Sequence, residues 1–333
     1  MTRSDADPRT HPSTDTMADS SGIGPLFITG FKRSGTTLLG NIVDRHPDIS
    51  IFVECFFIPR YYYAQFAFWP LSREKNRKRL ARSIATEPRS RRNGVDVDEA
   101  SIAARAEPSL RSVLDTLMLD WAASRGSVRW GDKSPGFITK MHLLTRLFPD
   151  ARYVHIVRDG RDVMLSILNK AGWERNVPWI AREWERAMAR ARAFGAAHPD
   201  RYLEVRYEAL VQDPESVVRE VAAFAGLTFN DRMLRPTDEA ELNPALSTWG
   251  QVNREIVRDN FEKWRREARP EDLAAFEYLA GHRLREFGWP LSDERLGWWD
   301  RVKIRSYLLA RTLVQPFGFV GRGVRFVWEA VRR

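Results

Sequence analysis

The feature that most constrains this chain is a short apolar run, residues 26–29, which ends at Gly30 and is followed by apolar positions at helical spacing over 38–43. This pattern predicts a strand, a glycine-bearing loop and a helix. Two similar units begin with the runs 153–157 and 202–207. Strands that alternate with helices form a parallel sheet covered on both faces, so the sequence predicts an α/β fold of three layers. Further helical patterns cover residues 109–124, 136–148 and 178–197.

The composition is that of a folded protein. Of 333 residues, 43% are hydrophobic and 29% are charged, which excludes a disordered or collagen-like chain and supports a sizeable core. Cys55 is the single cysteine, so a disulfide framework and a multi-cysteine metal site are excluded. Because an unpaired thiol is typical of a reducing compartment, the sequence predicts a cytoplasmic protein.

The loop after the first predicted strand has the composition of an anion site. Residues 29–39 are TGFKRSGTTLL, and backbone N–H groups converge on an anion where a strand leads into a helix. The G-x4-G spacing matches the nucleotide-binding P-loop, but Thr36 stands where that loop has its lysine. The cations Lys32 and Arg33 precede the second glycine instead. The sequence therefore predicts a P-loop-type α/β/α fold with a central parallel sheet, in which this loop binds phosphate or sulfate. The missing lysine argues against an ATPase or GTPase.

Three alternatives stay open at this point. The first is a strand-to-helix turn without a ligand, and the second is a P-loop kinase that acts on a small molecule. The third is a non-enzymatic protein that binds nucleic acid or a membrane, because the formal net charge is +9. The sequence contains no nucleic-acid recognition motif, so no nucleic-acid partner is predicted.

Two motifs resemble those of sulfotransferases that use 3′-phosphoadenosine-5′-phosphosulfate (PAPS). Residues 32–38 resemble the loop for the 5′-phosphosulfate, and residues 157–163 with Ser166 resemble the motif for the 3′-phosphate. The second motif also has a physical reason, because the planar guanidinium of Arg158 suits phosphate oxygens and a serine two helical turns later adds a hydroxyl. The resemblance implies that PAPS is the co-substrate and that no metal is required. The residues implied to bind PAPS are Arg33, Ser34, Gly35, Thr36, Thr37, Arg158, Ser166, Tyr207, Ser247 and Arg258.

The pattern is most similar to the tyrosylprotein sulfotransferases and their bacterial relatives. Residues 54–60 resemble their Glu-x-x-x-Ile-Pro-Arg segment, and residues 131–135 resemble the segment that carries a catalytic lysine. The resemblance implies Glu54 as the general base, with Arg33 and Lys133 neutralising charge on the transferred group. The predicted reaction is in-line transfer of a sulfuryl group from PAPS to an acceptor hydroxyl.

The alternative role for Glu54 is an ion pair with Arg60. Lys170 stands where that branch has an arginine, which keeps the charge but loses the planar fork. The acceptor stays open among carbohydrate, lipid, phenol, antibiotic scaffold and peptide tyrosine.

The sequence predicts three regions: a disordered leader over 1–22, a sulfotransferase domain over 23–290 and a basic, aromatic tail over 291–333. Residues 301–333 hold eight Lys or Arg and one acid, so most of the net charge lies there. Cations mixed with aromatic and aliphatic side chains are typical of segments that lie on anionic membranes. The tail thus predicts peripheral contact with the inner face of the membrane, with a helix docked on its own domain as the equal alternative.

Overall fold

The computed structural model describes residues 24–235 and 260–314. The leader predicted over 1–22, the candidate residues Ser247 and Arg258, and the end of the tail lie outside the described residues.

A five-stranded sheet forms the centre of the described structure. Its strands are β1 (Leu26–Gly30), β2 (Ile49–Val53), β3 (Arg129–Lys133), β4 (Arg152–Val157) and β5 (Tyr202–Arg206). They are arranged in the order β2-β3-β1-β4-β5, and every neighbouring pair is parallel. The structure confirms the predicted three-layer α/β/α fold.

Helices cover the sheet and connect its strands. In chain order they are α1 (Thr36–Asp44), α2 (Phe57–Ala64), α3 (Glu74–Ala85), α4 (Pro88–Arg92), α5 (Glu99–Arg105), α6 (Leu110–Ser124), α7 (Met141–Leu147), α8 (Gly160–Leu168), α9 (Val177–Ala197), α10 (Tyr207–Gln212), α11 (Pro214–Ala225), α12 (Trp264–Glu267), α13 (Pro270–Glu286) and α14 (Trp298–Val314). Short 3-10 turns lie at Gln65–Phe68, Pro135–Thr139 and Asp231–Leu234.

Two apolar clusters pack against opposite faces of the sheet. Leu26 and Ile28 belong to one cluster and Phe27 to the other, as expected when successive side chains of a strand point to opposite faces. The first cluster is completed by α1 and α11, and the second by α6, α8 and α9. Burial on both faces explains why β1 is a continuous apolar run.

The sequence patterns located some elements and missed others. Strands β2 and β3 were not predicted, and β3 has the polar sequence RWGDK although most of it is buried. The helix predicted over 136–148 is wrong as a single element, because the chain forms a 3-10 turn and then α7, with a break at Lys140, where φ is −124°. The two basic helices α3 and α4 share the positively charged stretch that follows β2.

Gly131 lets three strands approach closely. A Cβ at this position would lie 2.7 Å from the carbonyl oxygen of Leu26 in β1 and 2.7 Å from Cδ1 of Ile51 in β2. The carbonyl belongs to the sheet backbone, so it has little freedom to move away.

We expect Gly131→Ala to lower the free energy of unfolding by about 2–3 kcal/mol, because the added methyl group overpacks the sheet. Urea denaturation measures this change. The matched control is Gly126→Ala, where φ is +83° and no described atom lies within 4 Å of the new Cβ; its cost is about 1 kcal/mol of backbone strain. A loss for Gly131→Ala no larger than for the control contradicts the close approach.

Candidate active site

Each of the five strands leads into one predicted site residue. The loop after β1 contains Arg33, β2 is followed by Glu54, β3 ends at Lys133, β4 is followed by Arg158, and β5 by Tyr207. Because the strands are parallel, their carboxyl ends lie at the same edge of the sheet. In open α/β sheets this edge is where ligands bind. The sheet therefore brings residues from distant parts of the sequence to one place.

The loop between β1 and α1 is shaped for an anion. Gly35 precedes α1 with φ at +96°, and no described side chain caps the first turn of the helix, so N–H groups of that turn are available to a ligand. The Oγ of Ser34 is buried and, within the described structure, has no hydrogen-bond partner. A Cβ on Gly35 would lie 2.4 Å from the ring of Tyr207. Glycine thus allows the tyrosine to lie directly against the loop.

Two residues of the same segment follow in the helix. Thr36 is buried and Thr37 is half-buried, both in the first turn of α1. Their backbone N–H groups are therefore at the positive end of the helix dipole.

Arg33 connects the two predicted nucleotide motifs. Its Nε donates to the Oγ of Ser166 on α8 at 2.9 Å. Its backbone has a φ of +69°, an uncommon conformation for a residue with a side chain. Burial and the nearby charge of Arg158 lower the pKa of Arg33. A buried cation next to a second cation is an arrangement that a bound anion stabilises.

Arg158 is buried at the end of β4 and is held by contacts from several elements. Its guanidinium stacks on the ring of Tyr207 at 4.2 Å from the centroid. It donates to the backbone oxygens of Asn260 at 2.7 Å and of Arg33 at 3.4 Å. Its Nε is buried without a partner in the described structure.

Asn260 is a site residue that the sequence patterns missed. Besides its carbonyl contact with Arg158, its side-chain Nδ2 donates to the Tyr207 hydroxyl at 2.6 Å. It therefore links Arg158 and Tyr207, two residues of the predicted donor site. Its position two residues after Arg258, itself a candidate from the resemblance, is the signal that points to it.

Glu54 lies in a basic pocket at the end of β2. Its carboxylate is 2.8 Å from Nη2 of Arg89 and 3.7 Å from Nζ of Lys133, and its side chain is 8% exposed. Arg60, the partner considered from the sequence, instead forms an ion pair with Glu87 at 2.7 Å. The arginine that pairs with Glu54 is therefore Arg89, on α4.

Lys133 reaches Glu54 through a buried path. Its side chain is 1% exposed, and burial lowers its pKa, an effect that the charge of Glu54 opposes. A Cβ on Gly40 of α1 would lie 2.9 Å from Cγ of Lys133. The glycine inside α1 thus leaves the space through which the aliphatic part of the lysine passes.

A buried carboxylate fixes the turn that carries Glu54. Oδ1 of Asp132 accepts the backbone N–H of Cys55 at 2.8 Å, and the backbone N–H of Glu54 donates to the Lys133 carbonyl at 3.0 Å. Glu54 has a φ of +67°. Burial raises the pKa of Asp132 to about 6, and burial also raises the pKa of the Cys55 thiol.

Two predicted cations have other positions. The Lys32 ammonium lies 5.5 Å from the ring centroid of Phe31 and 5.9 Å from that of Trp173. Lys170 is exposed after the end of α8. No contact in the described structure joins either lysine to the cluster around Arg33 and Arg158.

Comparison with known proteins gives one family. The protein-family model described as "Sulfotransferase family" matches residues 25–231 of the sequence. Protein-tyrosine sulfotransferase 1 of Danio rerio is 28% identical over 264 residues, which cover 70% of this chain and 68% of the relative. The protein-tyrosine sulfotransferase of Drosophila melanogaster is 28% identical over 267 residues, covering 70% of this chain and 48% of the relative. An uncharacterized protein of Aquifex aeolicus is 26% identical over 259 residues, covering 73% of this chain and 30% of that protein. The chain thus spans less than half the length of the last two.

Solved structures share the fold. The sulfotransferase domain of the Synechococcus PCC 7002 olefin synthase has a TM-score of 0.60 at 22% identity, covering 81% of this chain and 97% of that domain. The sulfotransferase domain of the curacin biosynthetic pathway has a TM-score of 0.56 at 19% identity, covering 81% of this chain and 99% of that domain. The similarity extends over nearly the whole of both domains.

The raised pKa of Asp132 predicts a pH-dependent loss of stability. Between about pH 4 and pH 6 the folded carboxyl keeps a proton that the unfolded one, with a pKa of 3.8, has released, so raising the pH favours unfolding. Asp132→Asn removes this titration, and its amide oxygen can still accept the Cys55 N–H. We expect D132N to match the parent protein near pH 4 and to be more stable by about 1–3 kcal/mol near pH 7, measured by urea denaturation.

The control for this prediction is Asp96→Asn, which changes an exposed aspartate. It should leave the pH dependence of stability as it is in the parent protein. If D132N and D96N have the same pH profile, the Asp132 carboxyl does not titrate in the window given.

Proposed function

The chain belongs to the sulfotransferase family, and on that premise we propose that it transfers the sulfuryl group of PAPS to an acceptor hydroxyl with Glu54 as general base. The observation that carries this proposal is the contact of Arg33 with the second nucleotide motif: its Nε donates to Ser166 Oγ, and its carbonyl accepts from Arg158. Beside it, Ser34 Oγ and Arg158 Nε are buried without a partner in the described structure. Most buried polar groups in native proteins have a partner, which can be protein, water, an ion or a ligand. A molecule with two anionic groups, as PAPS has, fits this arrangement.

The two anionic groups of the donor have different partners in this proposal. Arg33 and the backbone N–H groups of residues 34–37 bind the 5′-phosphosulfate at the start of α1. Arg158 and Ser166 bind the 3′-phosphate, and Tyr207 contacts the nucleotide between them. Ser247 and Arg258 remain predicted donor contacts.

The transfer step is a single displacement at sulfur. The acceptor oxygen forms a bond to sulfur while the bond from sulfur to the bridging oxygen of the phosphosulfate breaks, and the bond's electron pair leaves with 3′,5′-ADP. Glu54 takes the acceptor proton. Lys133 and Arg33 stabilise the charge that develops on the bridging and sulfuryl oxygens, and each such contact contributes about 3 kcal/mol in the transition state.

The position of Lys133 beside Glu54 supports this assignment. The two side chains are 3.7 Å apart and both are almost completely buried, so they are fixed relative to each other before substrate binds. Preorganised groups in a site with little water act more strongly than the same groups in solution. The ion pair of Glu54 with Arg89 holds the carboxylate from its other side.

The acceptor surface adjoins Glu54. Phe56 is 42% exposed and contacts the ring of Phe137 edge-on, with Arg89 stacked over it. The zebrafish and fly relatives carry the name protein-tyrosine sulfotransferase. We therefore take tyrosyl peptides as the first acceptors to screen, followed by small phenols, carbohydrates and lipids.

We propose residues 23–290 as the sulfotransferase domain. The family model ends at residue 231, but Arg161 on α8 pairs with Glu277 on α13 at 2.8 Å, and both side chains are buried. Trp264 also donates its backbone N–H to Asp162 at 2.9 Å. These contacts make α12 and α13 part of the same packed unit.

Binding of the product nucleotide tests the donor site. We expect 3′,5′-ADP at about 100 times its Kd to stabilise the protein by about 2.7 kcal/mol, which corresponds to a rise in Tm of roughly 4 °C for a chain of this length. Arg158→Met should abolish the rise, because it removes the guanidinium that contacts the 3′-phosphate. The control Arg92→Met changes an exposed arginine of α4 and should leave the rise unchanged.

The same thermal-shift experiment includes ATP with magnesium. A P-loop kinase would be stabilised by ATP with magnesium and not by 3′,5′-ADP. That result contradicts the choice of PAPS as donor.

Replacement of Glu54 tests the general base. We expect Glu54→Gln to lower kcat by about 10²–10⁴-fold, because the amide cannot accept the acceptor proton, while the thermal shift with 3′,5′-ADP stays as in the parent protein. Turnover is measured with labelled PAPS and the best acceptor of the screen. The matched control is Glu87→Gln, another buried glutamate paired with an arginine, for which kcat should change by less than about tenfold. Near-normal turnover of E54Q removes Glu54 from the mechanism but leaves the donor site intact.

A further inference from the structure

Helix α14 is attached to the domain by one of its faces. Leu308 is buried, and Ile304 packs against the second apolar cluster, which contains Phe27. The guanidinium of Arg311 lies 4.0 Å from the ring centroid of Trp179 on α9 and also pairs with Glu174. Arg182 of α9 donates to the Leu308 carbonyl at 3.3 Å. The position of α14 on the domain is therefore fixed by apolar and ionic contacts together.

The opposite face of α14 is also apolar, and it is exposed. The exposed fraction is 64% for Trp298, 68% for Trp299, 38% for Val302 and 63% for Leu309. At about 100° per residue, positions 298, 302 and 309 fall within about 40° of each other on the helix surface. Four large apolar side chains on one helix face are more than scattered surface residues account for.

Cations flank this exposed face. Arg301 and Arg305 lie along one side of it and Lys303 along the other, and all three are exposed. Asp300 is the single acid of the helix, so α14 has an excess of positive charge. Arg301 and Arg305 also lie 5.6 Å and 5.7 Å from the ring centroid of Tyr278 on α13. The cations are thus held beside the apolar face.

We propose that this exposed face of α14, defined by Trp298, Trp299, Val302 and Leu309, lies on the surface of a bilayer that contains anionic lipids. Tryptophan prefers the boundary between lipid headgroups and acyl chains. Cations beside it bind the anionic headgroups, which are enriched on the cytoplasmic leaflet. The helix lies parallel to the membrane with its inward face still docked on α9.

The remaining chain supports a lipid surface as the occupant. Residues 315–333 contain four arginines, one acid, four valines and four aromatic residues, which are Phe317, Phe319, Phe326 and Trp328. The same mixture of cations and aromatic side chains therefore continues beyond α14 in the sequence. Within the described residues, no helix combines the length and apolar character needed to cross a bilayer.

Vesicle flotation of the full chain tests the proposal. We expect binding to vesicles of mixed phosphatidylcholine and phosphatidylglycerol and little binding to phosphatidylcholine alone. Changing Trp298, Trp299 and Leu309 to serine should weaken binding about tenfold or more, since it removes the apolar face. Changing Arg301, Lys303 and Arg305 to glutamine should weaken it about a hundredfold, at about fivefold for each cation.

Matched controls distinguish binding through this face from nonspecific binding through exposed apolar or basic residues elsewhere on the protein. Phe66 and Trp69 are 58% and 73% exposed on another surface, and their change to serine should leave vesicle binding as it was. Lys75, Lys78 and Arg82 are exposed on α3, and their change to glutamine should lower binding by less than about fivefold. The substituted residues of α14 do not belong to the candidate site at the carboxyl edge of the sheet. The thermal shift with 3′,5′-ADP therefore checks that every variant is folded.

Three results overturn the proposal. The first is no binding of the parent protein to either kind of vesicle. The second is equal loss of binding in the variants of α14 and in the controls. The third is that the α14 residues are needed for another interaction and not for vesicle binding. That interaction would be oligonucleotide binding in a filter assay or self-association in sedimentation. The proposal does not depend on sulfuryl transfer, since it stands or falls with vesicle binding alone.

Discussion

The parallel direction of all five strands is the constraint on which the candidate site depends. A parallel sheet places every carboxyl end at one edge, so residues as distant in sequence as Gly35 and Tyr207 become neighbours. In an antiparallel sheet, successive strands would end at opposite edges. The central position of β1 puts the anion loop between the two strands that lead to Lys133 and Arg158. The basic groups therefore approach a ligand at the loop from both sides.

Backbone strain is concentrated at this edge. Among the described non-glycine residues, Arg33, Glu54 and Glu262 have a positive φ, and the first two are the residues to which we assign charge stabilisation and proton transfer. Such a conformation costs about 1–2 kcal/mol at each residue. At Glu54, bonds of the backbone to Asp132 and Lys133 on either side of the turn hold the strained geometry. The sheet thus supplies the rigidity that the site needs.

Local sequence patterns were sufficient to predict the elements whose residues act within one segment. The run at β1, the glycine of the loop and the apolar spacing of α1 act within one segment, and they predicted the fold. Strand β3 was missed because Asp132 and Lys133 are charged, and their burial depends on partners in other strands. Arg89 and Asn260 were missed for the same reason. Arg89 belongs to a basic stretch that is typical of a solvated helix, and its contact with Glu54 spans 35 positions.

Gly40 has a consequence for how this sequence can change. Its missing side chain is the space that the buried stem of Lys133 fills, so the two positions share one small volume. A larger side chain at position 40 fits only if the side chain at position 133 is smaller than lysine. Substitutions at these two positions are therefore energetically coupled, and a residue of higher helix propensity at position 40 displaces the stem of the lysine.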